Sequence, residues 1–135
     1  MKKRLWLLIA TALFLSLALI ACNGQDKSKG DVTYEQITPA EGKAIMDSED
    51  GYVILDVRTP EEYAEGHIEG AILIPDYEIG GKAESVLTDK DQLILVYCRC
   101  GRRSKNAANE LATLGYTNIK EFGGINDWNY GTVTE

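Results

Sequence analysis

The sequence is poor in the side chains that most often bind metals. It has one histidine, His67, and three cysteines, Cys22, Cys98 and Cys100, in 135 residues. A structural zinc site takes four Cys or His ligands as a rule, and the donors here are too few for one. We therefore predict no metal site and no cofactor from the sequence.

Positive charge is also scarce, because 14 lysines and arginines are outnumbered by 21 aspartates and glutamates, for a net charge of −7. Such an acidic chain argues against a nucleic-acid partner. The content of 44% hydrophobic and 26% charged residues is ordinary for a globular protein, and the length suits one domain. Against this acidic background, three arginines follow closely after Cys98.

The longest apolar run lies near the start of the chain. It extends from Leu5 to Ile20, follows a basic Lys2-Lys3-Arg4 leader, and is broken only by a threonine and a serine. The segment Leu19-Ile20-Ala21-Cys22 that ends the run resembles the processing motif of bacterial lipoproteins. The resemblance implies a signal peptide over residues 1–21, cleavage before Cys22, and lipid attachment to the Cys22 sulfur. An uncleaved anchor with an incidental cysteine is the alternative.

A polar tether is expected after this segment. Residues 23–31 are small or polar and contain no apolar side chain that could enter a core. The predicted organisation is a signal peptide over 1–21, a tether over 22–31 and one domain over 32–135. The expected location is the extracytoplasmic face of a bacterial cell membrane, with the lipid on Cys22 as the anchor.

Residues 32–135 alternate between strand and helix patterns. Thr38-Pro39-Ala40-Glu41 and Thr59-Pro60-Glu61-Glu62 predict capping boxes at two helix starts, and Gly115 predicts the end of a later helix. Short apolar runs predict strands at 52–55, 71–74, 93–97 and 118–122, and helices are predicted at 39–46, 60 to about 66, 104–114 and, as a single turn, 125–128. Residues 76–88 are ambiguous, and Gly123-Gly124 is expected to form a turn. This alternation indicates an α/β domain whose central, mostly parallel sheet is covered by helices on both faces.

Two of the predicted strands end in polar residues that are candidates for a site. Asp56-Val57-Arg58 follows one strand, and Cys98 follows another. Ligands bind beyond the carboxyl ends of parallel strands, so both groups should lie at the same rim of the sheet. Cys98 also precedes a predicted helix, where backbone N–H groups favour negative charge and stabilise a thiolate nucleophile.

The segment from Cys98 to Arg103 is predicted to be a six-residue anion-binding loop. Its backbone N–H groups can form a concavity, and Arg99, Arg102 and Arg103 add permanent positive charge. A thiolate at the base of this concavity suits attack on a sulfur or phosphorus atom that carries anionic oxygens. It also suits the holding of a persulfide. A buried structural thiol is the alternative for Cys98.

Several separated motifs resemble those of a rhodanese domain. The first half of the domain carries Ile54-Leu55-Asp56-Val57-Arg58, Glu61-Glu62-Tyr63, Gly66-His67-Ile68, Gly70-Ala71 and Ile74-Pro75. The second half carries the segment from Tyr97 to Ser104, then Leu111, Gly115-Tyr116 and Gly123-Gly124. The resemblance extends from about Tyr34 to Asn129 and implies a single-domain sulfurtransferase with a three-layer α/β fold.

The resemblance also implies roles for the loop. Cys98 would be the catalytic nucleophile and carry sulfane sulfur as a persulfide. The substrate-binding residues would be Arg99, Cys100, Gly101, Arg102 and Arg103. An anionic donor such as thiosulfate or polysulfide would bind to Arg99 and Arg103, and the loop amides would hold the transferred sulfur before it passes to a thiol or to cyanide.

Two other functions remain open from the residues. A membrane-tethered sulfur carrier or regulatory module would bind the same sulfur with little turnover, since a fold alone does not define a function. A phosphatase or arsenate reductase would use a similar loop, but the phosphatases of similar fold have a loop one residue longer. Because six-residue loops are typical of the sulfurtransferases that this chain resembles, the resemblance favours sulfur transfer over phosphate chemistry.

The remaining polar residues near the rim are expected to have structural roles. Arg58 is expected to pair with Glu62, and Asp56 is expected to accept N–H groups of its own loop. His67 is expected to anchor a turn by hydrogen bonding, because a thiolate nucleophile needs no separate base.

Cys100 and two aromatic residues complete the candidates. Cys100 is either a small loop filler or a thiol that resolves an oxidised or persulfidated Cys98. Trp128 and Tyr130 are expected to pack over the edge of the sheet.

Overall fold

A computed structural model describes residues 33–135. The signal peptide, the tether and Cys22 lie outside these residues, so their assignments remain predictions. Within residues 33–135, no helix combines the length and the apolar character that crossing a membrane requires.

Five strands form one sheet in the order β1-β5-β4-β2-β3, and every neighbouring pair is parallel. The strands are β1 (Glu35–Gln36), β2 (Val53–Asp56), β3 (Ile72–Leu73), β4 (Ile94–Cys98) and β5 (Ile119–Gly124). The helices are α1 (Pro39–Ser48), α2 (Pro60–Glu65), α3 (Ile79–Val86) and α4 (Arg102–Thr113), with 3₁₀ turns at Asp76–Glu78 and Ile125–Asp127. The predicted α/β class with a parallel sheet is confirmed.

Helices cover both faces of the sheet, which explains why the central strands are continuously apolar. On one face, α3 and α4 pack on the sheet through Ala83, Ala107, Ala108 and Leu111. On the other face, α1 and α2 contribute Ile45, Met46 and Tyr63 to a second cluster with Leu95 and Phe122. The result is the three-layer arrangement that the strand and helix patterns predicted.

The ends of α1 and α4 follow local sequence signals. Thr38 Oγ1 accepts the Glu41 N–H at 3.2 Å, and the Glu41 carboxylate accepts the Thr38 N–H at 2.7 Å, so the predicted capping box is present. Gly115 ends α4 with a φ of +98°, a conformation that favours glycine. Its N–H donates to the Ala112 carbonyl at 3.0 Å, which closes the last turn.

The structure corrects several predicted boundaries. Gly123 and Gly124 do not form a turn but complete β5, where Gly124 pairs with Cys98. The ambiguous segment after Pro75 forms a 3₁₀ turn and then α3, and the two-residue β1 was not predicted. Helix α4 begins at Arg102 rather than at Ser104. Only residues 99–101 therefore remain outside regular structure in the predicted six-residue loop.

Candidate active site: a buried thiol at the start of helix α4

Cys98 is the last residue of β4, which lies between β2 and β5 in the middle of the sheet. Its side chain is fully buried on the face covered by α3 and α4. Asp56 ends the neighbouring strand β2, opposite Tyr97. The prediction that Asp56 and Cys98 occupy the same rim is confirmed, because parallel neighbours end at the same edge.

The loop after Cys98 is tight because Gly101 makes a sharp turn and Gly124 lets the backbone of β5 approach the backbone of the loop. Gly101 has a φ of +98° and turns the chain directly into α4. A Cβ on Gly124 would overlap the Arg99 carbonyl and the Cys100 nitrogen. The Arg99 carbonyl also accepts the Asn126 N–H at 3.1 Å. The loop backbone is thus held directly against the end of β5.

The sulfur of Cys98 faces the start of α4. The Gly101 N–H donates to Sγ at 3.0 Å, and Ser104 Oγ lies 3.3 Å from Sγ. Gly101 is the N-cap residue, and no side chain in the described part of the protein caps this helix end. The first-turn amides of α4 are therefore available to an anion or to a sulfur bound on Cys98.

The three arginines of the segment have different surroundings. Arg99 and Arg102 are exposed, and neither forms an ion pair with any residue that the structure describes. Arg103 is half-buried and donates two hydrogen bonds to the Glu62 carboxylate, at 2.8 and 2.9 Å. The Glu62 hydrogen bonds raise the pKa of Arg103 above its ordinary value. The guanidinium of Arg103 is thus already engaged, whereas those of Arg99 and Arg102 can face an incoming anion.

A buried ion pair fixes the rim next to the thiol. The Asp56 carboxylate accepts the Arg58 side chain at 3.0 and 2.7 Å, the Arg58 N–H at 2.9 Å, and the Tyr97 hydroxyl at 2.6 Å. Arg58 also donates to the Gly66 carbonyl, which ties the end of α2 to the rim. The expectation that Asp56 accepts a loop N–H is confirmed. The expected Arg58–Glu62 pair is wrong, because Asp56 lies closer to Arg58 and Arg103 binds Glu62 instead.

His67 anchors a turn, as predicted. Its Nδ1 lies 2.9 Å from the Tyr63 carbonyl oxygen, and its ring stacks on Tyr63 at a centroid distance of 3.7 Å. Trp128 is buried against Phe122, so its packing role is also confirmed. Tyr130 is about half exposed, at 48%, and meets Trp128 edge to face.

Two residues near the sulfur were not predicted from the sequence. Ser104 contacts Cys98, and Glu121 is a carboxylate with only 2% exposure beneath the loop. Glu121 Oε1 accepts the Ser104 hydroxyl at 2.6 Å and the Gly123 N–H at 2.8 Å. The sequence did contain a signal for the burial of Glu121. Glu121 follows Ile119 at the two-residue spacing that places both side chains on one face of a buried strand. Within residues 33–135, no group of three or more possible metal ligands comes together.

Comparisons with known proteins agree with this fold. The rhodanese-like domain family matches residues 38–130. Thiosulfate sulfurtransferase PspE of Escherichia coli is 40% identical over 73 residues, which cover 54% of this chain and 70% of PspE. YrkF of Bacillus subtilis is 33% identical over 106 residues, covering 78% of this chain but only 56% of YrkF. A solved structure described as a rhodanese with anions from E. coli is 36% identical, with a TM-score of 0.59, and covers 62% of this chain and 99% of that one.

Cys98 thus lies buried between a central parallel strand and a helix whose start no side chain among the described residues caps. The chain belongs to the rhodanese-like family.

The Glu62–Arg103 pair makes stability depend on pH. Hydrogen bonding from Arg103 lowers the pKa of Glu62 from 4.5 to about 2. The pair therefore contributes fully above about pH 4.5, and its contribution is lost as the pH falls from there towards about 2. We expect the free energy of unfolding of the wild type to fall more steeply over this range than that of Glu62→Gln.

Urea unfolding at a series of pH values measures this difference. Glu61→Gln is the matched control, because Glu61 is exposed in the same helical turn. If Glu62→Gln and Glu61→Gln have the same pH dependence, the pair does not act as described.

Proposed function

We propose that this protein is a sulfurtransferase in which Cys98 carries the transferred sulfur. The observation that carries the proposal is the position of Sγ, which accepts the Gly101 N–H at 3.0 Å beside the uncapped amides of α4. These amides stabilise negative charge on the sulfur and on a second sulfur bonded to it. The family relation to PspE, a thiosulfate sulfurtransferase, supports the same reaction class.

The proposed first step moves one sulfur atom. The Cys98 thiolate attacks the outer sulfur of thiosulfate, an S–S bond forms to Cys98, and the S–S bond of the donor breaks. The electron pair of that bond leaves with sulfite, so charge and atoms balance and Cys98 becomes a persulfide anion. In the second step a thiolate or cyanide attacks the outer sulfur, and the Cys98 thiolate is regenerated. A polysulfide donor reacts in the same way and releases a shorter polysulfide.

Arg99 and Arg102 are suited to attract the anionic donor in this proposal. Both are exposed, both follow Cys98 closely, and neither is paired with a carboxylate among residues 33–135. In a chain with a net charge of −7, they provide local positive potential at the entrance to the site. Arg103 donates hydrogen bonds to Glu62, supports the loop and adds positive charge near Cys98.

Sulfur loading of Cys98 tests the proposal directly. The purified protein is incubated with thiosulfate, alkylated, digested with trypsin and analysed by mass spectrometry. Cleavage after Lys90 and Arg99 separates a peptide that contains Cys98 from the one that contains Cys100. We expect the Cys98 peptide to gain the mass of one sulfur atom, and cyanide to remove it with release of thiocyanate.

Each outcome of this experiment has a definite meaning. Rapid loading and unloading supports a sulfurtransferase. A stable sulfur on Cys98 that neither cyanide nor a thiol removes overturns catalysis in favour of a sulfur carrier. Absence of sulfur on the Cys98 peptide overturns both.

We propose in addition that the protein acts at a membrane surface. The support is the sequence alone: the basic leader, the apolar run to Ile20 and the Leu19-Ile20-Ala21-Cys22 motif. A lipid on Cys22 and a polar tether would place the domain on the extracytoplasmic face of a bacterial cell membrane. The same mass measurement, made on protein purified from bacterial membranes, tests this. A lipid-modified chain starting at Cys22 supports it, and an intact Met1 contradicts it.

A further inference from the structure

A chain of hydrogen bonds connects the Cys98 thiol through the Ser104 hydroxyl to the buried Glu121 carboxylate. Ser104 Oγ lies 2.6 Å from Glu121 Oε1 and 3.3 Å from Cys98 Sγ. A hydroxyl has one hydrogen to donate, and the carboxylate is the strongest acceptor within its reach. Ser104 therefore donates to Glu121 and presents a lone pair to Cys98. The contact with Sγ is then a hydrogen bond in which the Cys98 S–H donates.

The mechanism proposed above leaves Glu121 without a role. Its side chain is 2% exposed, and no arginine or lysine in the described residues forms an ion pair with it. A buried carboxylate without a cation is costly unless its hydrogen bonds compensate. Here the partners are the Ser104 hydroxyl and the Gly123 N–H, and both belong to the wall of the site.

We infer that Glu121 accepts, through Ser104, the proton that Cys98 must lose to become a nucleophile. The Sγ–H proton passes to Ser104 Oγ, and the hydroxyl proton of Ser104 passes to Glu121 Oε1. Ser104 then donates its new hydrogen to the thiolate, and the neutral carboxyl of Glu121 donates to Ser104. The number of protons and the net charge of the three groups do not change. Glu121 is a positioning residue that acts through Ser104.

This arrangement predicts an unusual pH dependence for the thiol. If the proton stays on either Cys98 or Glu121, the Cys98 thiolate forms without releasing a proton to water. The population of the thiolate is then insensitive to pH as long as Cys98 and Glu121 together hold one proton. A thiol without the relay loses about tenfold in thiolate for each pH unit below its midpoint. The relay therefore raises the reactivity of Cys98 on the acid side.

The other charged groups around Cys98 are accounted for. Arg103 of α4 interacts with Cys98 through its charge, and it is paired with Glu62 of α2 and influenced by Asp76 of the 3₁₀ turn. Arg99 of the loop and Arg102 at the start of α4 are exposed and carry positive charge that no described carboxylate pairs with. On β2, Asp56 is paired with Arg58. On the exposed side of α3, Lys82 pairs with Glu78 and Glu84 pairs with Lys90. All of these groups remain in place when Glu121 is replaced.

The test is the rate of Cys98 alkylation by iodoacetamide as a function of pH, read on the tryptic Cys98 peptide. The decisive variant is Glu121→Gln, because the amide oxygen still accepts from Ser104 and Gly123 but cannot take up the proton. We expect Glu121→Gln to slow alkylation about tenfold or more at about pH 6, and to match the wild type at about pH 10, where hydroxide removes the proton. Glu110→Gln is the control, an exposed α4 carboxylate of equal charge.

Two results would overturn the inference. If Glu121 acted only as a nearby negative charge, its removal would favour the thiolate and speed alkylation at about pH 6. If it acted only as a support for the loop, Glu121→Gln would follow the wild-type profile at every pH. Ser104→Ala provides a second measurement, because it breaks the chain at its middle. We expect Ser104→Ala to slow alkylation of Cys98 at about pH 6 as much as Glu121→Gln does. The double variant should be no slower than either single variant.

This inference rests on the proposed role of Cys98 as the nucleophile, but the two fail separately. Alkylation needs neither a sulfur donor nor an acceptor. Failure to load sulfur would overturn the proposed function and leave the pH profile as it is. An unchanged pH profile in Glu121→Gln would overturn the relay and leave sulfur loading intact.

Discussion

Replacing Cys98 with serine is expected to abolish sulfur transfer from thiosulfate to cyanide, with a loss of ~10³-fold or more. A serine hydroxyl is not ionised at neutral pH and forms no stable bond to sulfane sulfur. The fold should survive, because serine is slightly smaller than cysteine and can accept the Gly101 N–H in its place. Release of thiocyanate under steady-state conditions is the measurement, with thermal unfolding as the check on folding.

Cys100→Ser is the matched variant for this prediction. Cys100 is exposed, whereas Cys98 is fully buried against the start of α4. If Cys98 alone carries the sulfur, Cys100→Ser should remain at least about a hundredfold more active than Cys98→Ser. Activity that persists in Cys98→Ser, or that depends equally on both thiols, would contradict the assignment of the nucleophile.

Replacing Asp56 with alanine is expected to lower the free energy of unfolding by about 3–5 kcal/mol. Asp56 is fully buried and Arg58 is 5% exposed, so the substitution leaves a buried guanidinium without its counter-ion. It also removes the acceptor of the Tyr97 hydroxyl, whose pKa is raised mainly by burial. Two strands and the end of α2 meet at this carboxylate, so the loss spreads across the rim.

Urea unfolding of Asp56→Ala and of Asp47→Ala makes the comparison. Asp47 is 61% exposed and pairs with Lys43 one turn away on α1, so its removal should cost less than about 1 kcal/mol. Equal effects of the two substitutions would show that the Asp56–Arg58 pair contributes no more than a surface pair. A large effect confined to Asp56→Ala supports the buried network.

The position of the candidate nucleophile follows from local patterns. The apolar run to Tyr97 predicted a buried strand, and alternation with helices predicted parallel pairing. Together these placed Cys98 and Asp56 at one rim, as the structure confirms. The capping box at Thr38 and the glycine stop at Gly115 were also visible, because both act within one or two helical turns.

The partners of the charged residues were harder to predict. Arg58 was expected to bind Glu62 because the two are close in sequence, but Asp56 is closer in space and fully buried. Glu62 instead meets Arg103, which is 41 residues away along the chain. Thr59 accordingly has half of its predicted capping box, with the Glu62 N–H donating to Thr59 Oγ1 at 3.2 Å.

The amino-acid sequence alone determined strands β2 to β5, helices α1, α2 and α4, and the cysteine that ends the central strand, because hydrophobic periodicity, capping residues and glycines act over short stretches of chain. The family was indicated by the resemblance of several separated motifs. Only the tertiary structure decided which arginine is already paired, how short the loop is, and that Glu121 reaches Ser104 from 17 residues away. The loop length and the Ser104–Glu121 contact depend on β4 and β5 lying side by side with Gly124 against the loop. The pairing of Arg103 depends on the contact between α4 and Glu62 of α2. These contacts join residues that are far apart in the sequence, and local residue patterns do not predict such contacts.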